Sequence, residues 1–266
     1  IIEAIKKGFA PENVYGFDTD ENAVAITKKR IKELCGYESD NIFCEDFLSQ
    51  QPAANSQQPT AFDYIFTNPP WGKKINKKDR AEYSDLFNSG NSNDTSSLFY
   101  FASLKMLKDD GMLGFLLPDS FFNITSFEDA RKSLLNHKIK RLIDYGKPFK
   151  GLMTKAMAFV ATKDKSLKSK AERDRTHLMC PNLNNRISCE IYNVKKHLRS
   201  QRSFCDIPKH IMNFHIDERE SEVIRKLFSK PHITLKDNAT WALGVITGNN
   251  SKLCYKENRG GFVPIF

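Results

Sequence analysis

Several features typical of other protein classes are missing from this 266-residue sequence. No apolar run approaches the roughly 20 residues needed to cross a bilayer, and the longest, such as 112–117, are far shorter. The first residues do not follow the basic, apolar and small-residue order of a secretory signal. We therefore expect a soluble, cytoplasmic protein, in a prokaryotic cell, that has no membrane partner.

Cysteine and histidine patterns that indicate metal or disulfide sites are also absent. The six cysteines are scattered without a Cys-x-x-Cys pair, and no histidine stands at metal-ligand spacing. This pattern argues against both a disulfide framework and a zinc site. We expect mostly reduced, buried thiols and no bound metal.

Positive charge, by contrast, is in excess. The formal net charge is +9, and the hydrophobic content of 40% is ample for a core. A basic surface gains affinity for nucleic acid by releasing counterions. A solvated basic face is the simpler explanation of any one lysine cluster, so the charge alone does not identify a partner.

The order of hydrophobic segments predicts an α/β fold. Strands and helices alternate through most of the chain, with strands expected near 14–18, 42–44, 62–66, 112–117, 139–144, 156–161 and 187–194 and helices near 23–34, 97–108, 126–136 and 218–228. Such alternation gives a mostly parallel sheet. The strands at 139–144 and 156–161 are joined by too few residues for a crossover helix, which predicts an antiparallel pair at the sheet edge.

The most informative stretch is the strand at 62–66 and the Asn68-Pro69-Pro70-Trp71 segment that follows it. Two consecutive prolines end the strand and fix the backbone in an extended shape. The Asn68 side-chain oxygen and the Pro69 carbonyl are then two rigid acceptors that can hold an exocyclic amino group by its two hydrogens. Trp71 adds a stacking face for a base. The simpler alternative is a tight Pro-Pro turn with a packed tryptophan.

Two other strands end in carboxylates. Asp18 ends the first strand, where an acidic residue binds ribose hydroxyls in nucleoside-binding folds, although Asp18 or Asp20 could instead cap the next helix. Asp46 and Phe47 follow the second strand. An aspartate and a ring in this position can accept from an adenine amino group and pack on the base, and they can equally form a turn.

A basic stretch follows the Asn-Pro-Pro-Trp segment and leads into a Ser/Asn-rich region at 88–97. We expect a mobile loop here whose positive charges could meet phosphates, with a solvated loop as the alternative. The candidate phosphate contacts are Lys73, Lys74, Lys77, Lys78 and Arg80.

Together, these residues resemble the S-adenosylmethionine-dependent adenine N6 DNA methyltransferases of restriction-modification systems, in their gamma-type motif order. The resemblance covers roughly the first 160 residues and, more weakly, the rest. Besides Asn-Pro-Pro-Trp, it rests on three segments of this sequence, namely Gly16-Phe17-Asp18-Thr19-Asp20, Glu45-Asp46-Phe47 and Gly111-Met112-Leu113-Gly114-Phe115-Leu116-Leu117-Pro118.

The resemblance implies a Rossmann-like methyltransferase sheet and a set of roles. Asn68, Pro69, Pro70 and Trp71 would form the catalytic segment, and Asp18, Asp46 and Phe47 would bind S-adenosylmethionine. Phe149 falls where the family places a ring that stacks on the extruded adenine. The implied partner is duplex DNA with a flipped adenine, and a restriction nuclease would be fused to the enzyme or separate from it.

The resemblance also implies a division of the chain. Residues 1–163 would be a catalytic domain, and residues 164–266 a linker and the beginning of a mixed α+β target-recognition region. Thr247-Gly248-Asn249-Asn250 resembles a turn at the start of such regions. The family's Asp-Pro-x-Cys-Gly-Ser-Gly cofactor loop would lie before Ile1, so we expect the isolated chain to bind cofactor poorly and to be inactive.

Two alternatives remain at this level. The same Asn-Pro-Pro corner can serve an amino-group methyltransferase that acts on RNA or on a protein glutamine. The chain could also be a non-catalytic DNA-binding fragment that kept the fold.

Overall fold

The computed structural model describes residues 1–49, 61–73, 75–151, 153–164, 182, 184–233, 235 and 238–240. The chain divides into two units, Ile1–Leu227 and Phe228–Phe266. In the second unit, the rings of Phe228 and His232 meet edge to face, 5.9 Å apart. Every strand and every candidate site residue described below belongs to the first unit.

The elements follow the predicted alternation of strands and helices. In chain order they are α1 (Ile2–Lys6), β1 (Gly16–Asp18), α2 (Glu21–Cys35), β2 (Ile42–Cys44), β3 (Phe62–Thr67), α3 (Lys77–Phe87), α4 (Thr95–Met106), β4 (Leu107–Pro118), α5 (Ser120–Asn123), α6 (Glu128–Leu135), β5 (Lys138–Asp144), β6 (Ala156–Thr162), β7 (Arg186–Ile191), β8 (Lys195–Ser200), α7 (Arg202–Cys205) and α8 (Glu218–Ser229).

The described strands form two sheets. A parallel pair contains β1 and β2, and a six-stranded sheet has the order β3-β4-β6-β5-β7-β8. β3 runs parallel to β4, and β6 runs antiparallel to both β4 and β5. The predicted α/β fold with an antiparallel pair is confirmed, but the pair lies inside the sheet, because β5 also pairs in parallel with β7.

The six-stranded sheet continues beyond residue 163. β7 pairs with β5 in parallel register from Arg141 opposite Ser188 to Asp144 opposite Ile191, and β8 folds back on β7. The sequence predicted a strand at 187–194 but not β8. The packed unit therefore extends past the boundary predicted at residue 163. Where the catalytic part of the chain ends stays a prediction.

The main core lies between the sheet and the helices on one face. Tyr100 of α4 is fully buried at its centre, and its ring meets those of Phe115, Phe121 and Phe159 edge to face at about 6 Å. Its hydroxyl donates to Ser133 at 3.2 Å. Burial raises the pKa of the Tyr100 phenol far above its usual value. This core holds β4, and with it the carboxyl edge of the sheet, in place.

Helix ends are capped by side chains that the sequence makes available. Asp20 accepts from the backbone N–H of Asn22 at the start of α2, and Gly36 ends that helix with φ 73°. Asp94 caps α4 in the same way. At the other end of α4, Lys163 donates to the carbonyls of Leu104 and Leu107. Burial lowers the pKa of Lys163, which stays within reach of Asp109.

Three local predictions were wrong. The basic stretch does not remain a loop, because Asn76 caps α3 and places Lys77 in its first turn. The Ser/Asn-rich region is packed, with Ser89 and Ser92 fully buried. The predicted change from a helix near 97–108 to a strand near 112–117 comes too late, because α4 ends at Met106 and β4 begins at Leu107.

The cysteines follow the prediction in part. Cys35, Cys44 and Cys189 are free thiols, but only Cys189 is buried, and burial raises its pKa to about 12. Cys205 is disulfide-bonded, which the spacing did not predict.

In the described part of the chain, no helix is long and apolar enough to span a membrane.

Candidate active site

The Asn-Pro-Pro-Trp corner begins where β3 ends. Asn68 directly follows the last residue of β3 and is exposed, whereas Pro69 is buried. Among the described residues, neither the Asn68 amide nor the Pro69 carbonyl makes a hydrogen bond. Two acceptors thus stand at the carboxyl edge of the sheet on a backbone that the prolines hold rigid.

Trp71 is anchored across this edge. Its indole N–H donates to the carbonyl of Leu116 in β4 at 3.3 Å. Its ring meets that of Phe149 edge to face, with centroids 5.9 Å apart and planes 72° apart. The structure therefore brings together the two rings that the sequence predicted to flank a base, although they lie 78 positions apart in the chain.

The two rings touch each other directly in this state. A base held between two parallel rings would separate their planes by about 7 Å, twice the contact distance of carbon atoms. The observed edge contact leaves no such gap. Phe149 must move or turn for a base to stack on Trp71 from that side.

The segment after the corner is held by α4. The Thr95 hydroxyl donates to the carbonyl of Lys73, and Thr95 itself is buried. Ile75 packs on the cluster of Leu48, Phe87 and Leu98. No local pattern in the sequence marks Thr95 as an anchor of the corner, because the bond joins residues 22 positions apart.

The predicted cofactor carboxylates share one local geometry. One oxygen of Asp18 accepts from the backbone N–H of Asp20 at 3.0 Å, and one oxygen of Asp46 accepts from that of Leu48 at 3.0 Å. Both side chains are exposed at the ends of neighbouring parallel strands. The same i to i+2 bond therefore orients both carboxylates. The cap of α2 is Asp20, so capping does not occupy Asp18.

Phe47 lies in a row of rings beside these carboxylates. Its ring centroid is 5.7 Å from Phe17, and it stacks on Phe99 of α4 at 5.5 Å. Tyr83 of α3 packs in the same cluster. Burial, and after it the negative charge of Asp46, raises the pKa of Tyr83. Sequence reasoning missed Phe99 and Tyr83 because both belong to helices distant in the chain.

The residues present fit a nucleoside. Among the described residues, the second oxygen of each carboxylate accepts no hydrogen bond, and each is thus available to a hydroxyl or an amino group. Phe47 adds an apolar ring next to Asp46. Ribose hydroxyls and an adenine amino group are donors that such carboxylate acceptors can bind.

The basic residues near the corner are exposed. Lys73 precedes α3, and Lys77, Lys78 and Arg80 lie in or next to its first turn. A helix N-terminus disfavours positive charge, so α3 itself does not explain their position. Lys74 and the segment 247–250 lie outside the described residues. Within the described ranges, no group of histidine, cysteine and carboxylate side chains could hold a metal ion.

Comparison with known proteins identifies relatives of this chain. Residues 12–150, more than half of the chain, match the Eco57I restriction-modification methylase family. The whole chain is 47% identical to the type II methyltransferase M.VspI of Vibrio sp. (strain 343) and spans 60% of that protein. The chain thus covers less than two thirds of this relative.

Solved structures share the fold at low sequence identity. The methyltransferase subunit of a type I restriction-modification system from Streptococcus thermophilus has a TM-score of 0.51 and 15% identity, over 74% of this chain and 47% of that one. A nuclease-deletion mutant of the type ISP restriction-modification enzyme LlaGI, in complex with a DNA substrate mimic, has a TM-score of 0.50 and 12% identity, over 79% of this chain and 25% of that one.

The family match confirms the predicted resemblance to restriction-modification methyltransferases, while the role of each site residue stays a prediction. The chain belongs to the Eco57I restriction-modification methylase family.

Proposed function

We propose that the protein carrying this chain methylates the exocyclic amino group of adenine in duplex DNA, as the modification activity of a restriction-modification system. The observation that carries the proposal is the corner at the end of β3. Asn68 and Pro69 offer two acceptors without partners among the described residues, beside a tryptophan ring that Leu116 holds in place.

The corner can orient an amino group for reaction. The Asn68 side-chain oxygen and the Pro69 carbonyl would each accept one of its two hydrogens. Holding both hydrogens draws the nitrogen lone pair out of conjugation with the ring and makes it nucleophilic. A strong base is not required, because the amino proton becomes acidic as the methyl group arrives. The contribution of these residues is therefore orientation and electrostatic preorganisation.

Trp71 and Phe149 would hold the base. A target inside a duplex must leave the stack before an enzyme can reach its amino group. Stacking on aromatic side chains contributes about 1–3 kcal/mol per base, which offsets part of the cost of extrusion. Trp71 supplies the fixed face, and Phe149 would close on the base after the present ring contact opens.

S-adenosylmethionine is the proposed cofactor, and it supplies the methyl group that is transferred. Asp18 would accept from the ribose hydroxyls, and Asp46 from the adenine amino group. Phe47 would pack against the adenine ring. Tyr83 and Phe99, from α3 and α4, pack in one cluster with Phe47.

Duplex DNA is the proposed partner. The exposed cations Lys73, Lys77, Lys78 and Arg80 lie next to the corner, where they can neutralise phosphates that flank an extruded base. Lys74 belongs to the same basic stretch of sequence. The LlaGI structure, which contains a DNA substrate mimic, supports a DNA partner at the level of the fold only. Because the chain belongs to a restriction-modification family, we also propose a restriction nuclease, which would be fused to the same protein or separate from it.

Nucleoside analysis tests the proposal. Plasmid DNA from cells that express the protein carrying this chain would be digested to nucleosides and analysed by mass spectrometry. N6-methyladenine is the expected product, and the Asn68→Ala variant is the control that should lack it. Methyl groups found only on cytosine, on RNA or on a protein glutamine would refute the adenine DNA assignment.

A further inference from the structure

Asp144 is a buried carboxylate at the end of β5 for which the proposed chemistry has no use. It is 4% exposed. One of its oxygens accepts from the backbone N–H of Gly146 at 2.7 Å, and the other lies 2.6 Å from the Nε2 atom of His215. Burying a carboxylate is costly unless such partners satisfy it. Its position is therefore constrained from two sides.

Asp144 stands at the base of the loop that carries Phe149. The loop leaves β5 after Asp144 and returns at Ala156, the first residue of β6. Two backbone bonds close it at the base, from Tyr145 to the carbonyl of Ala156 at 2.9 Å and from Ala156 to that of Gly146 at 2.8 Å. Beyond this base, residues 147–151 and 153–154 make no hydrogen bond among the described residues.

The direction of the loop is set at Gly146. This glycine has φ 65°, a conformation that other L-residues rarely adopt, and the Asp144 carboxylate accepts from its N–H. From there the chain reaches Phe149 three residues later. Since the described residues beyond the base make no hydrogen bond with one another, the base and the ring contact with Trp71 constrain where Phe149 lies.

We infer that Asp144 is a positioning residue for base binding, acting through Gly146 on the loop that places Phe149 against Trp71. His215 braces the carboxylate from the opposite side, and its ring stacks on the fully buried Phe214 at 5.3 Å. The inference rests on the proposed function for its consequence in catalysis, but the coupling between Asp144 and the ring contact is measurable without DNA or cofactor.

Tryptophan fluorescence can report that coupling. The chain contains two tryptophans, Trp71 and Trp241, so a Trp241→Phe background leaves Trp71 as the only indole. In this background, Asp144→Ala should raise the acrylamide quenching constant of Trp71 about twofold, because the indole becomes more exposed when Phe149 no longer covers it. Asp144→Asn keeps an oxygen for the Gly146 N–H and should stay close to the parent protein.

A double-mutant cycle separates positioning from general destabilisation. Phe149→Ala should raise the quenching constant as much as Asp144→Ala does. If Asp144 acts through Phe149, the double variant should match Phe149→Ala alone. Additive effects, or an unchanged constant in a folded Asp144→Ala protein, would overturn the inference.

Gln201 provides the matched control at the opposite end of β5. It is fully buried, accepts from the N–H of Ile139, and donates to the carbonyls of Leu135 and His137. Gln201→Ala should lower the melting temperature without changing Trp71 quenching. If Gln201→Ala raises the quenching constant as much as Asp144→Ala, the effect is general loosening of β5 and the inference fails.

His215→Ala is the milder variant if Asp144→Ala does not fold. It removes one partner and leaves the carboxylate in place, so a smaller rise in quenching is expected. If Asp144→Ala is unfolded and a folded His215→Ala protein shows no rise in the quenching constant of Trp71, the inference that Asp144 positions the Phe149 loop is overturned.

Methylation kinetics test whether Asp144 matters for DNA binding during catalysis. In the protein carrying this chain, Asp144→Ala should raise KM for DNA about fivefold or more, the lower limit for removing one aromatic stacking face, and should leave cofactor affinity unchanged. Equal losses of DNA and cofactor binding would indicate a structural role and overturn the inference. If the parent protein transfers no methyl group to DNA, the proposed function fails, while the fluorescence result stands by itself.

Discussion

The two halves of the candidate site are built in different ways. On the base side, Trp71 is held by Leu116 and meets Phe149, so its contacts span 45 and 78 positions of the chain. On the cofactor side, Asp18 and Asp46 are each oriented by a backbone N–H two residues away. The base side therefore depends on the packed sheet, whereas the cofactor carboxylates need only their own turns.

This difference explains where each half is vulnerable. Distant changes in the sheet or in the Phe149 loop should disturb the base side, since its rings meet only when β3, β4 and β5 are assembled. The cofactor carboxylates should respond mainly to substitutions at their own positions. Variants of single residues can test whether the two halves are as separate as the contacts indicate.

The largest expected effect comes from Asn68. Replacing it with alanine removes a preorganised acceptor for the amino group and should lower the methylation rate in the protein carrying this chain by about 100- to 1,000-fold. Cofactor affinity, measured by calorimetry, should stay unchanged because Asn68 lies on the base side. Exposed Asn13→Ala is the matched control. A parallel loss of cofactor affinity would mean that the two halves are not separate.

Replacing Asp18 should weaken cofactor binding and leave DNA binding unchanged, the reverse of what is expected for the base side. Asp18→Ala removes an acceptor from ribose hydroxyls, worth about 1.5–3 kcal/mol for a bond to a charged group, so the cofactor Kd should rise about tenfold or more. DNA affinity in a gel-shift assay should not change. Asp20→Ala is the control, because losing the α2 cap should lower stability by about 1 kcal/mol without a comparable change in Kd. If Asp18→Ala and Asp20→Ala raise the cofactor Kd equally, Asp18 only stabilises the local turn and does not contact the cofactor.

Phe149→Ala tests the ring that the structure brings to Trp71. Losing one stacking face should weaken retention of an extruded base by about 1–3 kcal/mol, seen as a higher KM for DNA. Phe149→Tyr, which keeps the ring, should resemble the parent protein. Phe9 is a useful control, since it is exposed to a similar extent (41% against 39%) and also meets another ring edge to face. An effect of Phe9→Ala as large as that of Phe149→Ala would contradict a specific role.

The smallest effect is expected from the cations of α3. Replacing both Lys77 and Lys78 with alanine should lower DNA affinity for all sequences and reduce the slope of log K against log salt concentration by about 0.9 for each phosphate that the protein no longer neutralises. As the control, replacing Lys28 and Lys29 of α2 with alanine removes the same charge from another helix. Equal slopes for the two pairs of variants would show that only net charge matters.

Much of the fold followed from local sequence signals. Apolar periodicity located β1 to β6. β8 was missed, since Lys195 to Ser200 forms an edge strand with few apolar residues and depends on pairing with β7. The polar region around Ser89 and Ser92 predicted a mobile loop, because sequence polarity does not reveal that Ser92 accepts from the N–H of Ala130 at 3.1 Å.

The sequence by itself determined the chemistry that the site can offer. Asn68 and Pro69 follow a strand as rigid acceptors because prolines restrict the backbone locally, and turns at the ends of two other strands orient Asp18 and Asp46 for equally local reasons. Only the tertiary structure decided which rings meet, that Phe149 now rests on Trp71, and that Asp144 and His215 lie beneath its loop. These contacts join residues more than 70 positions apart, and packing of the whole sheet fixes such distances.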